Sequence, residues 1–193
     1  MSERLPGVAI VETVTTTINP DGTVNCAAMG VEWGDDTIVI KPFPSTRTLR
    51  NLRATGAAVV NLTDDILLFT QAALGDPHPP TRPAAAIDGA VLADACSWRE
   101  VTVAGIDESG PRARVTTHVV ARGTGREFLG FNRARHAVLE ASIIASRARL
   151  LPAAEVRAEL ERLQVPVDKT AGAREHEAME LVRRHVRAAV GSG

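Results

Sequence analysis

The sequence predicts an α+β chain, mainly β through about residue 130 and helical from 131 to 193. Three observations predict it. Segments dense in Val, Ile and Thr alternate with Gly, Pro, Asn and Asp clusters up to about Val120. Apolar residues recur at helical spacing from Asn132 onward. No apolar run approaches the roughly 18 to 20 residues needed to span a bilayer. At 193 residues and 45% hydrophobic content, the chain can bury one real core and carry an appended piece. The expected organisation is a β domain over 1–130 with a helical segment over 131–193 packed on it.

Each element has its own signal. Val8 to Thr17 is β-branched and reads as a strand, and Asn19-Pro20-Asp21-Gly22 as a tight turn. Thr23 to Trp33 resumes an extended pattern, Gly34-Asp35-Asp36 turns again, and Thr37 to Lys41 is a third strand. Pro42-Phe43-Pro44 ends it. Ser45 or Thr46 can cap a helix from Thr48 to Thr55, with Leu49 and Leu52 on its buried side and Gly56 at its end. Ala57 to Leu62 is a short apolar strand. Asp64 or Asp65 caps a helical stretch from Ile66 to Leu74, and Gly75 to Pro83 reads as a loop. β character returns from Gly89. Val101 to Ile106 and Arg112 to Val120 flank a hairpin-like turn at Asp107-Glu108-Ser109-Gly110. Neither face of the second of these strands is charged, which predicts cover on both sides or a place at an interface. Helices follow over Asn132 to Leu150, Pro152 to Leu163 and Ala171 to Val190, the last with Met179, Val182 and Val186 near one stripe.

Composition excludes several function classes. Net charge is -1 with no run of like charges, so bulk electrostatics does not call for nucleic acid or an anionic membrane. Aromatic residues are too few for a base-stacking surface. Cys26 and Cys96 lie far apart and form no CxxC, so a zinc ribbon or thioredoxin-type site is unsupported and two reduced thiols are expected. His78, His118, His136, His176 and His185 are scattered, without paired-ligand spacing, and no metal is expected. Asp64-Asp65 reads as a capping pair rather than a metal site. The N-terminus lacks a basic region followed by a long apolar one, which predicts a cytoplasmic protein.

Two segments could carry chemistry. Ser45-Thr46-Arg47-Thr48 lies between a strand and a helix. Unpaired N–H groups and the helix dipole favour an anion there, the hydroxyls add donors, and Arg47 adds a planar cation suited to phosphate. The alternative is a plain N-cap with Arg47 in solvent. The GxxxxGK[ST] pattern of a P-loop is absent. Asn25-Cys26-Ala27-Ala28-Met29-Gly30 reads as a strand of small side chains, whose backbone can lie open to a flat heteroaromatic ring. Tight sheet packing explains the same composition. Cys26 has no basic neighbour in sequence to activate it as a nucleophile.

Together, ETVTTTINPDGTVNCAAMGV, IKPFPSTRTLRNL and AAVVNLTDD, with the later GFNRARHAVLEASIIASR, resemble the family known as domain of unknown function 447. That family belongs with the flavin reductase-like, FMN-binding split barrels. The resemblance covers most of the chain. It implies a six-stranded split β-barrel domain over 1–130, a homodimer, and FMN in a groove at or near the subunit interface. Ser45, Thr46, Arg47 and Thr48 would hold the phosphate, with Asn51 nearby. Asn25, Cys26, Ala27, Ala28 and Met29 would lie along the isoalloxazine, and Asn61 would reach the ribityl chain or ring edge. The implied function is a flavin-dependent oxidoreductase acting on a small molecule with a nicotinamide donor. The alternatives are a non-catalytic FMN or phosphorylated-ligand module, linked through the family to methanopterin-dependent one-carbon metabolism, and a scaffold whose helices recruit another protein.

Overall fold

The computed structural model describes residues 7–190; the ends of the two expected segments, 1–6 and 191–193, lie outside the described residues. In chain order the first elements are β1 (Ile10–Ile18), β2 (Val24–Glu32), β3 (Thr37–Ile40), α1 (Arg47–Thr55), β4 (Ala57–Leu62) and α2 (Ile66–Leu74). They are followed by β5 (Thr81–Pro83), β6 (Ala90–Leu92), β7 (Ser97–Asp107), β8 (Arg114–Thr124), α3 (Arg133–Ala145), α4 (Ala153–Thr170) and α5 (Ala173–Val190). The chain forms two compact units. One runs to Thr63 and resumes over His78–Glu127; the other joins Asp64–Pro77 to the described residues from Phe128. The second unit is therefore not contiguous in sequence, because α2 groups with the C-terminal helices.

The first unit is a closed antiparallel barrel in the order β1-β2-β3-β8-β7-β4, with β4 pairing back to β1; β5 and β6 form a separate two-stranded sheet. Closure removes exposed strand edges. The turn between β1 and β2 uses Gly22 at φ 83, the left-handed conformation that the Asp-Gly signal anticipates. Strand alternation sorts the wall into two faces. Thr13, Thr15 and Thr17 lie opposite Met29, Ala27 and Asn25, while Val14 and Thr16 lie opposite Ala28 and Cys26. Met29 packs against the core of Val31, Ile38, Ile40, Leu49, Leu52 and Val60, so the first set faces inward. α1 supplies Leu49 and Leu52 to that core. Thr46 caps its start, and Gly56 ends it at φ 65 with its N–H on Leu52 O at 3.0 Å.

The opposite face of the wall is closed by the segment that carries β5 and β6. The Thr16 hydroxyl donates to Ala90 O at 2.5 Å. The buried Glu100 carboxylate accepts from the N–H groups of Ala85 (3.0 Å) and Ala86 (2.6 Å). The Trp98 ring lies against Gly123, where a Cβ would collide with it.

In the second unit, Asp65 accepts from the N–H groups of Leu67 and Leu68 at the start of α2, which is the capping role its position predicts. Arg135 bridges Asp64 at 3.0 Å and Glu175 at 2.9 Å. The buried hydroxyls of Thr70 and Ser142 meet at 2.9 Å. Val138, Val156, Val167, Met179 and Val182 are buried among these helices. Among the described residues, no helix is long and apolar enough to cross a membrane.

Several boundaries depart from the expectation. Thr81–Pro83 lies inside the expected loop yet pairs with β6, because Pro83 sits at a strand end that needs no further ladder donor. β7 starts at Ser97 rather than Val101, extended by its pairing with β4. Only one face of β8 is covered: Val115 and Thr117 are buried, while His118 and Val120 are exposed. The helix expected from Asn132 to Leu150 stops at Ala145, and a separate 3-10 turn covers Ala148–Leu150. α4 continues past Leu163 and through Pro166, since the fully buried Val167 anchors the turn that proline alone would break.

Candidate functional site

The site grows from the junction of β3 and α1. Pro42, Phe43 and Pro44 end the strand, and the chain turns into α1 at Thr46. Thr46 spends its donors on that turn: its N–H reaches Phe43 O at 3.1 Å and its hydroxyl reaches the same oxygen at 2.8 Å. Its hydroxyl oxygen also accepts from Leu49 N at 3.3 Å. Thr46 is thus the cap and not a direct anion ligand, which corrects the role expected of it, and Ser45 is not the cap. The first N–H groups of an α-helix have no carbonyl one turn back, so the N-terminus of α1 carries the positive end of its dipole. Ser45, Arg47 and Arg50 are exposed around it.

Beneath this corner lies a buried network of neutral polar groups. The Asn25 amide donates to the hydroxyls of Thr17 at 3.1 Å and Thr48 at 3.3 Å. The Asn51 amide donates to Thr17 at 2.9 Å and to the Asn19 side-chain oxygen at 2.8 Å. These bonds tie the first turns of α1 to β1 and β2. Asn25, Thr48 and Asn51 are therefore under the helix rather than in a groove above it. The half-buried, small-residue stretch of β2 begins at Ala27 and runs through Gly30.

Two expected site residues have buried side chains. Cys26 is buried on the face opposite Asn25, because successive side chains of a strand alternate; both cysteines remain thiols. Asn61 is fully buried on β4, and its amide donates to Val14 O (3.0 Å), Val59 O (3.2 Å) and the Thr16 hydroxyl (3.3 Å). Its carbonyl accepts from Leu92 N at 3.0 Å. Asn61 is a strut between β1, β4 and β6 with no open side for a ribityl chain, which corrects its expected role.

Sequence reasoning missed Thr17, Asn19, Asp21 and Arg50. Arg50 was legible, three residues after Arg47 on one helix surface. Thr17 and Asn19 reach α1 only through the fold. The Asp21 carboxyl is held below its ordinary value first by the Thr23 hydroxyl, then by the Thr23 N–H, with the charge of Arg47 contributing. An anionic turn thus lies near the cation expected to grip a phosphate. Among the described residues, no group of three or more His, Cys, Asp or Glu is arranged to hold a metal ion. The groups at the start of α1 fit a phosphate monoester in kind: the positive end of the helix dipole, the exposed Ser45 hydroxyl and two exposed arginines, beside small-residue main chain.

Comparison with known proteins identifies the family. Residues 11–126 match the N-terminal domain, and residues 132–184 the C-terminal part, of the family described as protein of unknown function (DUF447). The chain is similar to the crystal structure of an FMN-bound DUF447 protein from Methanosarcina mazei. The TM-score is 0.81 and the identity 20%, over 92% of this chain and 95% of that one. The styrene monooxygenase flavin reductase of Pseudomonas putida S12 superposes with TM-score 0.52 at 18% identity, over 60% of this chain and 80% of that one. Flavoredoxin from Methanosarcina acetivorans gives 0.53 at 12% identity, over 67% and 78%.

Proposed function

Because this chain belongs to the DUF447 family, we propose that it binds FMN and serves as a flavin-dependent oxidoreductase on a small molecule. The observation that carries the reading is the start of α1. The positive end of the helix dipole and the exposed Ser45 and Arg47 stand beside a half-buried strand of small residues. The FMN-bound relative from Methanosarcina mazei supports the choice of ligand.

In this proposal the Ser45 hydroxyl, the N–H groups of Arg47 and Thr48, and the guanidinium of Arg47 bind the phosphate, with Arg50 adding positive field. Thr46 fixes the helix start, while Thr48, Asn25 and Asn51 hold it against β1 and β2. The main chain of Ala27 to Met29 flanks the ring. Bound FMN supplies hydride or electron transfer through its ring. The side chains proposed to hold the phosphate are a hydroxyl and guanidinium groups, with amides beneath them. The chain's own work is then anchoring and orientation. A homodimer and a nicotinamide donor belong to the same proposal, as the resemblance implies them.

The purified protein is expected to be yellow, or to gain flavin absorbance after dialysis against FMN, and to accelerate nicotinamide oxidation above the free-flavin background. A protein that takes up no FMN ends the reading. Flavin uptake without such oxidation removes the oxidoreductase and leaves the binding module.

A further inference from the structure

At the far end of β2 from α1, a second group of side chains is arranged for an anion. Arg99 on β7 and Arg122 on β8 lie directly opposite each other across the ladder. Like charges in that position are destabilising. The Arg99 guanidinium stacks on the Trp33 ring, 5.2 Å from its centroid. Its Nη1 donates to Trp98 O at 2.9 Å. Among the described residues, that carbonyl is its only hydrogen-bond acceptor, and no carboxylate forms an ion pair with it. Arg122 is engaged at its tip by Asp35 O and Asp36. Burial, then the charge of Arg122, holds Arg99 below the ordinary arginine value, with Asp35 opposing.

Such an arrangement costs stability and returns little of it within the chain. A guanidinium is planar and offers its N–H donors in pairs along an edge. That edge matches the two oxygens of a carboxylate or phosphate. Trp33 lies eight residues beyond Asn25, up to roughly 26 Å at about 3.3 Å per strand residue, so this place is separate from the start of α1.

We propose that Arg99, stacked on Trp33 and opposed by Arg122, is a binding site for the oxyanion of a small molecule, a carboxylate or a phosphate. It stands on residues that the FMN reading does not use.

Calorimetric titration of the full chain with benzoate, inorganic phosphate and neutral benzamide tests it. Benzoate or phosphate is expected to bind saturably and benzamide not. Binding of benzoate alone assigns a planar carboxylate, and of phosphate alone a phosphate. Arg99→Gln is expected to weaken the anion at least tenfold with no fall in thermal midpoint, since it removes a like-charge pair. The titrations are made with FMN saturating, which occupies the phosphate corner of α1 and separates the two sites. Should Arg99→Gln not fold, Arg99→Lys, which keeps the charge and loses the planar fork, is expected to weaken binding several-fold. No anion binding to the native chain, or equal binding by the folded variant, overturns the proposal.

Discussion

Two polar clusters flank β1, and both are made of asparagine and threonine. On the inward face, Asn25 and Asn51 gather around Thr17 and Thr48 beneath the start of α1. On the outward face, Asn61 gathers Thr16 and the main chain of β1, β4 and β6. The side-chain chemistry is the same, but what lies beyond differs. The Asn61 cluster is closed off by β6, and both amide hydrogens and the carbonyl are used on partners within the chain. The Asn25–Asn51 cluster lies under a helix start where Ser45 and Arg47 are exposed. A saturated polar cluster braces a fold; one that ends on a helix terminus can also position a ligand.

The sharpest way to break this comparison is Asn61→Leu. It leaves the buried Leu92 N–H without its acceptor and takes one donor from the Thr16 hydroxyl, which keeps Ala90 O, at about 1 to 3 kcal/mol per unsatisfied group. Urea unfolding should show a loss of about 3 kcal/mol. A loss under about 1 kcal/mol would mean that Asn61 is not a brace. Arg47→Ala should behave in the opposite way. FMN binding is expected to weaken by about 1 to 3 kcal/mol, read by fluorescence titration, through loss of a charge-assisted bond. Unfolding should change by less than about 0.5 kcal/mol, because Arg47 is exposed. Unchanged FMN affinity would place Arg47 outside the phosphate site.

The smallest expected effect concerns Glu100, on the same outward face as Asn61. Burial opposes its ionisation, but the N–H groups of Ala85 and Ala86 and the indole of Trp98 outweigh burial and hold its carboxyl below 4.5. A carboxyl lowered in the folded state contributes stability above its unfolded value, and that contribution is lost as pH falls through the folded value. Unfolding followed from pH 7 downward should therefore show a loss that begins below about 4.5. Glu100→Gln should reduce that acid-dependent loss and leave the start of α1 untouched. An identical acid profile in the variant would show that this loop is held by something else.

Much of this was legible in the residues. The Asp-Gly turn, the cap before α1, Gly56 at its end and Asp65 at the start of α2 all act over a few residues, and all appear where the sequence puts them. The site was legible as a segment but not residue by residue. Small side chains at 25–30 look alike in sequence, yet alternation sends Cys26 to one face and Asn25 to the other. Thr46 reads as an anion donor until its hydroxyl is found on Phe43 O.

By itself, then, the sequence determined the order and kind of the main elements, the position of α1 and the family of the chain. The elements rest on local dihedral preferences, caps and periodicity, which need no distant partner, and the family on the resemblance of its motifs. Only the tertiary structure decided that Asn61 is a brace, that Thr17 and Asn19 support α1, and that Arg99 meets Arg122 across a ladder. Those outcomes depend on strand register and barrel closure, which bring together residues tens of positions apart and set which polar groups are spent inside and which still face outward.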